Sequence, residues 1–145
     1  PQGIEIATLT TFDIPALAVL TLEAYDEAVT PEALMETSEE LRLTFEGAFG
    51  DTTEDSFVGA WDGGTLVGAI LVVRESPWDD APDGPFVVDL IVAPDYRRRG
   101  IATALVAEVA GRCASWGFGS LALRLDSRHG GANELYSVLG FEEIA

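Results

Sequence analysis

Two periods of apolar residues run along the chain, separated by turn-forming positions. Ile4 and Ile6 alternate with polar neighbours, the spacing of a half-buried strand. Asp13 stands where a helix over about 14–28 needs an N-cap, with Leu17, Leu20, Ala24 and Ala28 on one stripe. Thr30 supplies a cap acceptor, Pro31 needs no amide in the first turn, and Glu32 complements the helix dipole. A second helix therefore starts there, and Gly47 and Gly50 mark its end. Residues 56–61 and 65–74 are β-rich runs on either side of Asp62, Gly63 and Gly64, the composition of a tight hairpin.

The segment SPWDDAPDGP, residues 76–85, breaks the pattern with prolines and aspartates and is expected to be an exposed loop. Phe86 to Ala93 follows as a nearly unbroken apolar run, as in a strand covered on both faces. A helix over about 100–116, a strand over 119–126, a helix over about 131–139 and a final strand from Phe141 complete the reading. The order predicts an α/β (α+β) fold in one domain over 1–145, with a mixed, mostly antiparallel sheet of about six strands flanked by about four helices. Only FEEIA is left after Gly140, enough for one short strand. An uncovered sheet edge there would be open to association, which leaves two expectations: a homodimer that covers it, or a chain that continues.

Charge and composition narrow the function classes. With 25 acidic against 8 basic residues the formal net charge is −17, which repels phosphates and argues against nucleic acid while favouring cationic partners. No apolar run reaches membrane-spanning length and the N-terminus has no signal-peptide pattern, so the expectation is a soluble cytoplasmic protein without a membrane partner. One cysteine, Cys113, and one histidine, His129, are too few for a thiolate or structural zinc site, so no metal is expected. Cys113 falls among Val106, Val109, Ala110 and Trp116 and reads as a buried structural thiol.

Against this acidic background, Arg97, Arg98 and Arg99 are consecutive and are followed by Gly100, at the passage from the buried strand into a helix. The first amides of a helix lack intrahelical partners and sit at the positive end of its dipole. Glycine lets an anion approach them, and arginines add charge at the rim. A solvated basic turn is the alternative on these residues alone.

The spacing Arg-x-x-Gly-x-Ala from Arg97 to Ala102, with Val92-Ala93-Pro94-Asp95-Tyr96 upstream and ANELYSVLGF about thirty residues downstream, resembles the acetyl-CoA-binding motifs of the GNAT superfamily of N-acyltransferases. The resemblance covers 86–142 most strongly. It implies acetyl-CoA as acyl donor, with its pyrophosphate on the amides of Arg98, Arg99, Gly100, Ile101, Ala102 and Thr103 and with Arg97 and its neighbours bracing the charge. It further implies that the backbone of Leu90, Ile91 and Val92 pairs with the pantetheine arm, in a splay between the fourth and fifth strands, and that an amide near Val92 holds the oxyanion.

By the same resemblance Tyr136 is the catalytic acid, a phenol able to protonate the departing thiolate. Ala132 holds the family's small position on the same helix. His129 replaces an asparagine often found in the family and, with Asn133, is a candidate cofactor donor. The base is less defined: Arg124 stands at one position where the family carries glutamate, leaving Asp89 and Asp126 as strand acids. Asp89 lies within an apolar strand, where desolvation makes a carboxylate more basic. The activity so implied is direct acetyl transfer to a primary amine of a small molecule or peptide, cationic given the charge. A non-catalytic acyl-CoA-binding domain is the alternative, and a nucleotide-binding loop fits less well because no Lys-Ser/Thr follows the glycine.

Overall fold

The computed structural model describes residues 3–47, 56–73, 86–117 and 122–123. In chain order these form β1 (Glu5–Thr8), α1 (Ile14–Ala24), α2 (Pro31–Phe45), β2 (Phe57–Asp62), β3 (Thr65–Val73), β4 (Phe86–Val92), α3 (Ile101–Ser115) and β5 (Ala122–Leu123). The strands lie in one sheet in the order β1-β2-β3-β4-β5, antiparallel through β4, with β5 parallel to β4. The expected α/β class and mixed sheet are present; the predicted helix over 131–139 and the final strand lie outside the described residues. None of the helices among the described residues is long and apolar enough to cross a membrane.

The first helix differs from the reading at both ends. Asp13 does not cap α1: its Oδ2 reaches back to the amide of Thr10 at 2.8 Å, while the Thr10 hydroxyl accepts from Phe12, a capping box around a short 3₁₀ turn. At the other end α1 stops at Ala24, four residues before the expected end, because Asp26 turns left-handed (φ 56). The amide of Asp26 then bonds Glu23 and that of Glu27 bonds Leu22, the pairing that closes a helix end and is usually built on glycine. The second helix starts as its sequence requires, with the Ala33 amide on the Thr30 hydroxyl at 3.1 Å.

Both faces of the sheet are covered. On one, Val58, Ala60, Val67, Ile70, Val72 and Val87 pack against Ile101, Leu105, Val106, Val109 and Cys113 of α3. On the other, Phe57, Leu66, Ala69, Leu71 and Ile91 meet Leu17, Ala18 and Leu20 of α1 and Leu41 of α2. Burying one such leucine or isoleucine is worth about 1.5–3 kcal/mol, so the two layers hold α1 and α3 firmly on opposite sides of β4. Gly68 sets how closely α3 approaches: a Cβ there would lie 2.9 Å from Ile101 Cγ2 and 3.3 Å from Leu105 Cδ1. The far end of α3 is tied to the first strand by Arg112, whose Nη1 donates to Thr8 Oγ1 at 2.9 Å.

Two irregularities re-aim the strands. Pairing passes from Ala60↔Gly68 to Trp61↔Leu66, making Val67 an extra residue, and from Leu71↔Asp89 to Val72↔Val87, making Val88 an extra residue in β4. The second bulge resets the alternation, so Leu90 and Val92 pack on the α3 side while Ile91 is buried on the α1 side. Asp89, in phase with Ile91, is turned toward α1.

Candidate functional site

The chain leaves β4 through the Ala93 amide, which still bonds the Val67 carbonyl at 2.8 Å, and makes a single 3₁₀ turn over Pro94–Tyr96. It then bends twice, at Arg98 (φ 64) and Gly100 (φ 81, ψ 9), before entering α3. Gly100 is the N-cap and provides no side-chain acceptor; the first intrahelical bond runs from Ala104 back to Gly100. The amides of Ile101, Ala102 and Thr103 are thus left without helical acceptors at the positive end of the dipole. A left-handed arginine is uncommon and costs about 1 kcal/mol or more, strain that serves here to swing the chain into this start. These donors suit the pyrophosphate of an acyl-CoA, and acetyl-CoA as donor fits them.

The three arginines do different things. Arg97 donates from Nε to the Val92 carbonyl at 3.2 Å and from Nη2 to the Ala24 carbonyl at 2.7 Å, so its guanidinium bridges the ends of β4 and α1. The Arg99 guanidinium lies 4.8 Å from the centre of the Tyr96 ring, a cation–π contact. Tyr96 in turn donates to Asp62 Oδ2 at 2.6 Å, anchoring the loop to the β2–β3 hairpin. That bond pushes the Tyr96 phenol above the usual tyrosine value; desolvation and nearby carboxylate charge add to it, and Arg99 opposes it. Among the described residues, Arg98 is the one arginine of the three whose side chain has no described partner.

The edge of β4 is the second part of the site. Ala93 and Val67 exchange a ladder bond, and with the register Ile91↔Ala69 the amide and carbonyl of Ile91 also face β3. Those of Leu90 and Val92 therefore point the other way, toward β5. Pairing with β5 is described only at Phe86↔Ala122 and Val87↔Leu123. Of the three residues expected to pair with pantetheine, the alternation thus leaves the main-chain groups of Leu90 and the amide of Val92 without a strand partner among the described residues, gives the Val92 carbonyl to Arg97, and commits Ile91 to the neighbouring strand.

Asp89 is held from the α1 side: Tyr25, just past the end of α1, donates its phenol to Asp89 Oδ1 at 2.5 Å. Neither Tyr25 nor the role of Tyr96 was legible from the motif, although Tyr96 lies inside it. Arg124, Asp126, His129, Ala132, Asn133 and Tyr136 lie outside the described residues. Cys113 is buried at 2% exposure in the core beneath α3, as its neighbours predicted. Among the described residues no group of three or more His, Cys, Asp or Glu could hold a metal.

The acetyltransferase (GNAT) family pattern matches residues 20–141, and the chain belongs to that family. Over 114 residues it is 34% identical to mycothiol acetyltransferase of Kocuria rhizophila, a match covering 69% of this chain; it spans 36% of that relative's length. A protein of Pyrococcus horikoshii superposes with a TM-score of 0.81 at 16% identity, covering 98% of this chain and 90% of that one. An N-acetyltransferase of Thermoplasma acidophilum, solved in complex with coenzyme A, superposes with a TM-score of 0.70 at 19% identity, covering 96% and 89%.

Proposed function

We propose that this chain is an acetyl-CoA-dependent N-acetyltransferase that modifies a primary amine, with a cationic small molecule or peptide as acceptor. The observation that carries the reading is the uncapped start of α3 at left-handed Gly100, directly after β4 and inside the segment that matches the family. Bound there, acetyl-CoA supplies a thioester carbonyl open to attack by an amine. The amides of Ile101, Ala102 and Thr103 hold the pyrophosphate, and Arg98 adds charge beside them. The β4 edge at Leu90 and Val92 aligns the pantetheine arm by main-chain bonds.

Proton traffic falls to two groups. Tyr136 Oη is the proposed donor to the departing sulfur, and Asp89, held by Tyr25, is the candidate acceptor of the amine proton. Replacing Tyr136 by phenylalanine is expected to leave CoA affinity unchanged while turnover falls about 10²-fold. Glu23, Asp26 and Glu27, all exposed around the end of α1, support a cationic acceptor.

The test is thiol release from acetyl-CoA across a panel of amines, alongside CoA binding to wild type and to Gly100→Asp. Amine-dependent release in wild type and lost CoA binding in the folded variant are expected. CoA binding without release for any amine would move the chain to the non-catalytic alternative. Unchanged affinity in Gly100→Asp would place the anion elsewhere.

A further inference from the structure

The end of α1 accounts for nearly all of its carbonyls internally. Tyr25 bonds Thr21, Asp26 bonds Glu23 and Glu27 bonds Leu22, which leaves the Ala24 carbonyl over. That carbonyl receives Arg97 Nη2 at 2.7 Å, a cation at the negative end of the helix dipole. The same guanidinium reaches the Val92 carbonyl through Nε at 3.2 Å, and Val92 is the last residue of β4. Two hydrogen bonds on one planar group fix both distance and angle, which a flexible lysine cannot do. The backbone of Arg97 is extended (φ −69, ψ 154) and closes the 3₁₀ turn onto Pro94, so the strut is rooted in the loop that leads to Gly100.

We propose that Arg97 is a positioning residue rather than an anion ligand: it locks the end of α1 to the end of β4, and so sets where the acceptor side of the molecule stands relative to the donor loop. Arg98 is left as the arginine that meets the anion. The consequence is a separation of effects within one run of three arginines. Loss of Arg98 is felt by the donor, and loss of Arg97 by the acceptor. This rests on the acyltransfer reading for the identity of the anion, but the lock itself does not depend on that reading.

The experiment compares Arg97→Ala, Arg97→Lys and Arg98→Ala, using CoA in calorimetry, acetyl-CoA with the best amine of the panel in steady state, and hydrogen exchange at residues 22–27. Arg98→Ala is expected to weaken CoA about tenfold, the scale of one charge-assisted bond, with acceptor KM little changed. Arg97→Ala is expected to hold CoA affinity within about threefold, raise acceptor KM about tenfold and speed exchange at the amides of Asp26 and Glu27. Arg97→Lys should recover part of the acceptor KM, because an ammonium can keep one of the two carbonyls. A tenfold loss of CoA affinity in Arg97→Ala with acceptor KM unchanged would overturn the proposal. A wild type that binds no CoA sinks the acyltransfer reading instead. The lock is then judged on exchange alone, and equal rates in Arg97→Ala and Arg98→Ala would end it. If Arg97→Ala does not fold, Arg97→Lys carries the same comparison.

Discussion

Tyr25 and Asp89, 64 residues apart in the chain, share a hydrogen bond of 2.5 Å that joins the end of α1 to the middle of β4. A phenol donating to a carboxylate is a charge-assisted bond, and both groups are only half-buried. Tyr25→Phe is expected to cost about 1–2 kcal/mol in urea unfolding, and the Tyr25→Phe, Asp89→Asn cycle should return a coupling above about 0.5 kcal/mol. Additive single and double variants would mean that the two residues only pass near each other.

Gly68 predicts how sensitive the donor loop is to its support. The two nearest atoms a Cβ would meet belong to Ile101 and Leu105, 1% and 0% exposed, which have little room to move. Gly68→Ala should destabilise by about 1 kcal/mol and Gly68→Val by about 2–3 kcal/mol, with CoA affinity falling in step as the first turn of α3 is pushed off the sheet. Stability lost with CoA binding intact would show that the amides of Ile101 to Thr103 do not need this seat.

At alkaline pH the anchor of the loop should fail in a defined direction. The Tyr96 phenol is held above its ordinary value by its bond to Asp62. Its contribution to stability is therefore complete below about pH 10, where an unfolded tyrosine titrates, and is lost as the pH rises through the raised folded value. Asp62→Ala should bring the ionisation of Tyr96 back toward about 10, read as tyrosinate absorbance with Tyr96→Phe as the baseline. Superimposable titrations of wild type and Asp62→Ala would deny the bond a role in solution.

Salt tests the acceptor's charge. If the exposed acids at the end of α1 draw in a cationic amine, kcat/KM should fall as ionic strength rises and the Debye length shortens to about 8 Å. A cationic substrate insensitive to salt, or a preferred anionic one, would rule out steering.

What could be read in the sequence was what neighbouring residues decide among themselves. Thr30 and Pro31 specify the start of α2 within one turn, Gly63 (φ 60) and Gly64 specify the β2–β3 turn, and the run from Phe86 betrays a strand covered on both sides. The Arg-x-x-Gly-x-Ala spacing marks the bend and the uncapped start of α3 because the amides, the glycine and the charge all lie within a few residues. Other features depend on partners far along the chain. The bulge at Val88 is hidden inside an unbroken apolar run, yet it decides which way Asp89 faces. The resemblance assigns Arg97 to the anion; that its guanidinium also reaches the Ala24 carbonyl, 73 residues away, is not written in the motif. The end of α1 was misplaced for a third reason: Asp26 adopts a backbone conformation that its residue type rarely signals.

The order of strands in the sheet follows their order in the chain, and this bears on how the molecule assembles itself. β2 and β3 meet across Gly63 and Gly64, a closure that takes microseconds, and β4 adds to them as the next strand. β1 must pair Glu5 with Trp61 across both intervening helices, a slower search through a long loop. The central hairpin should therefore gain protection from pulsed hydrogen exchange before Glu5–Thr8 does, and simultaneous protection would contradict this order. Tyr96 fastens the loop before α3 to Asp62 at the tip of that hairpin, whereas Ala24, which receives Arg97, lies in the segment between β1 and β2. On the proposed reading, the loop that takes the acyl donor is thus fastened to the early hairpin, whereas the contact of Arg97 with Ala24 waits until α1 has docked.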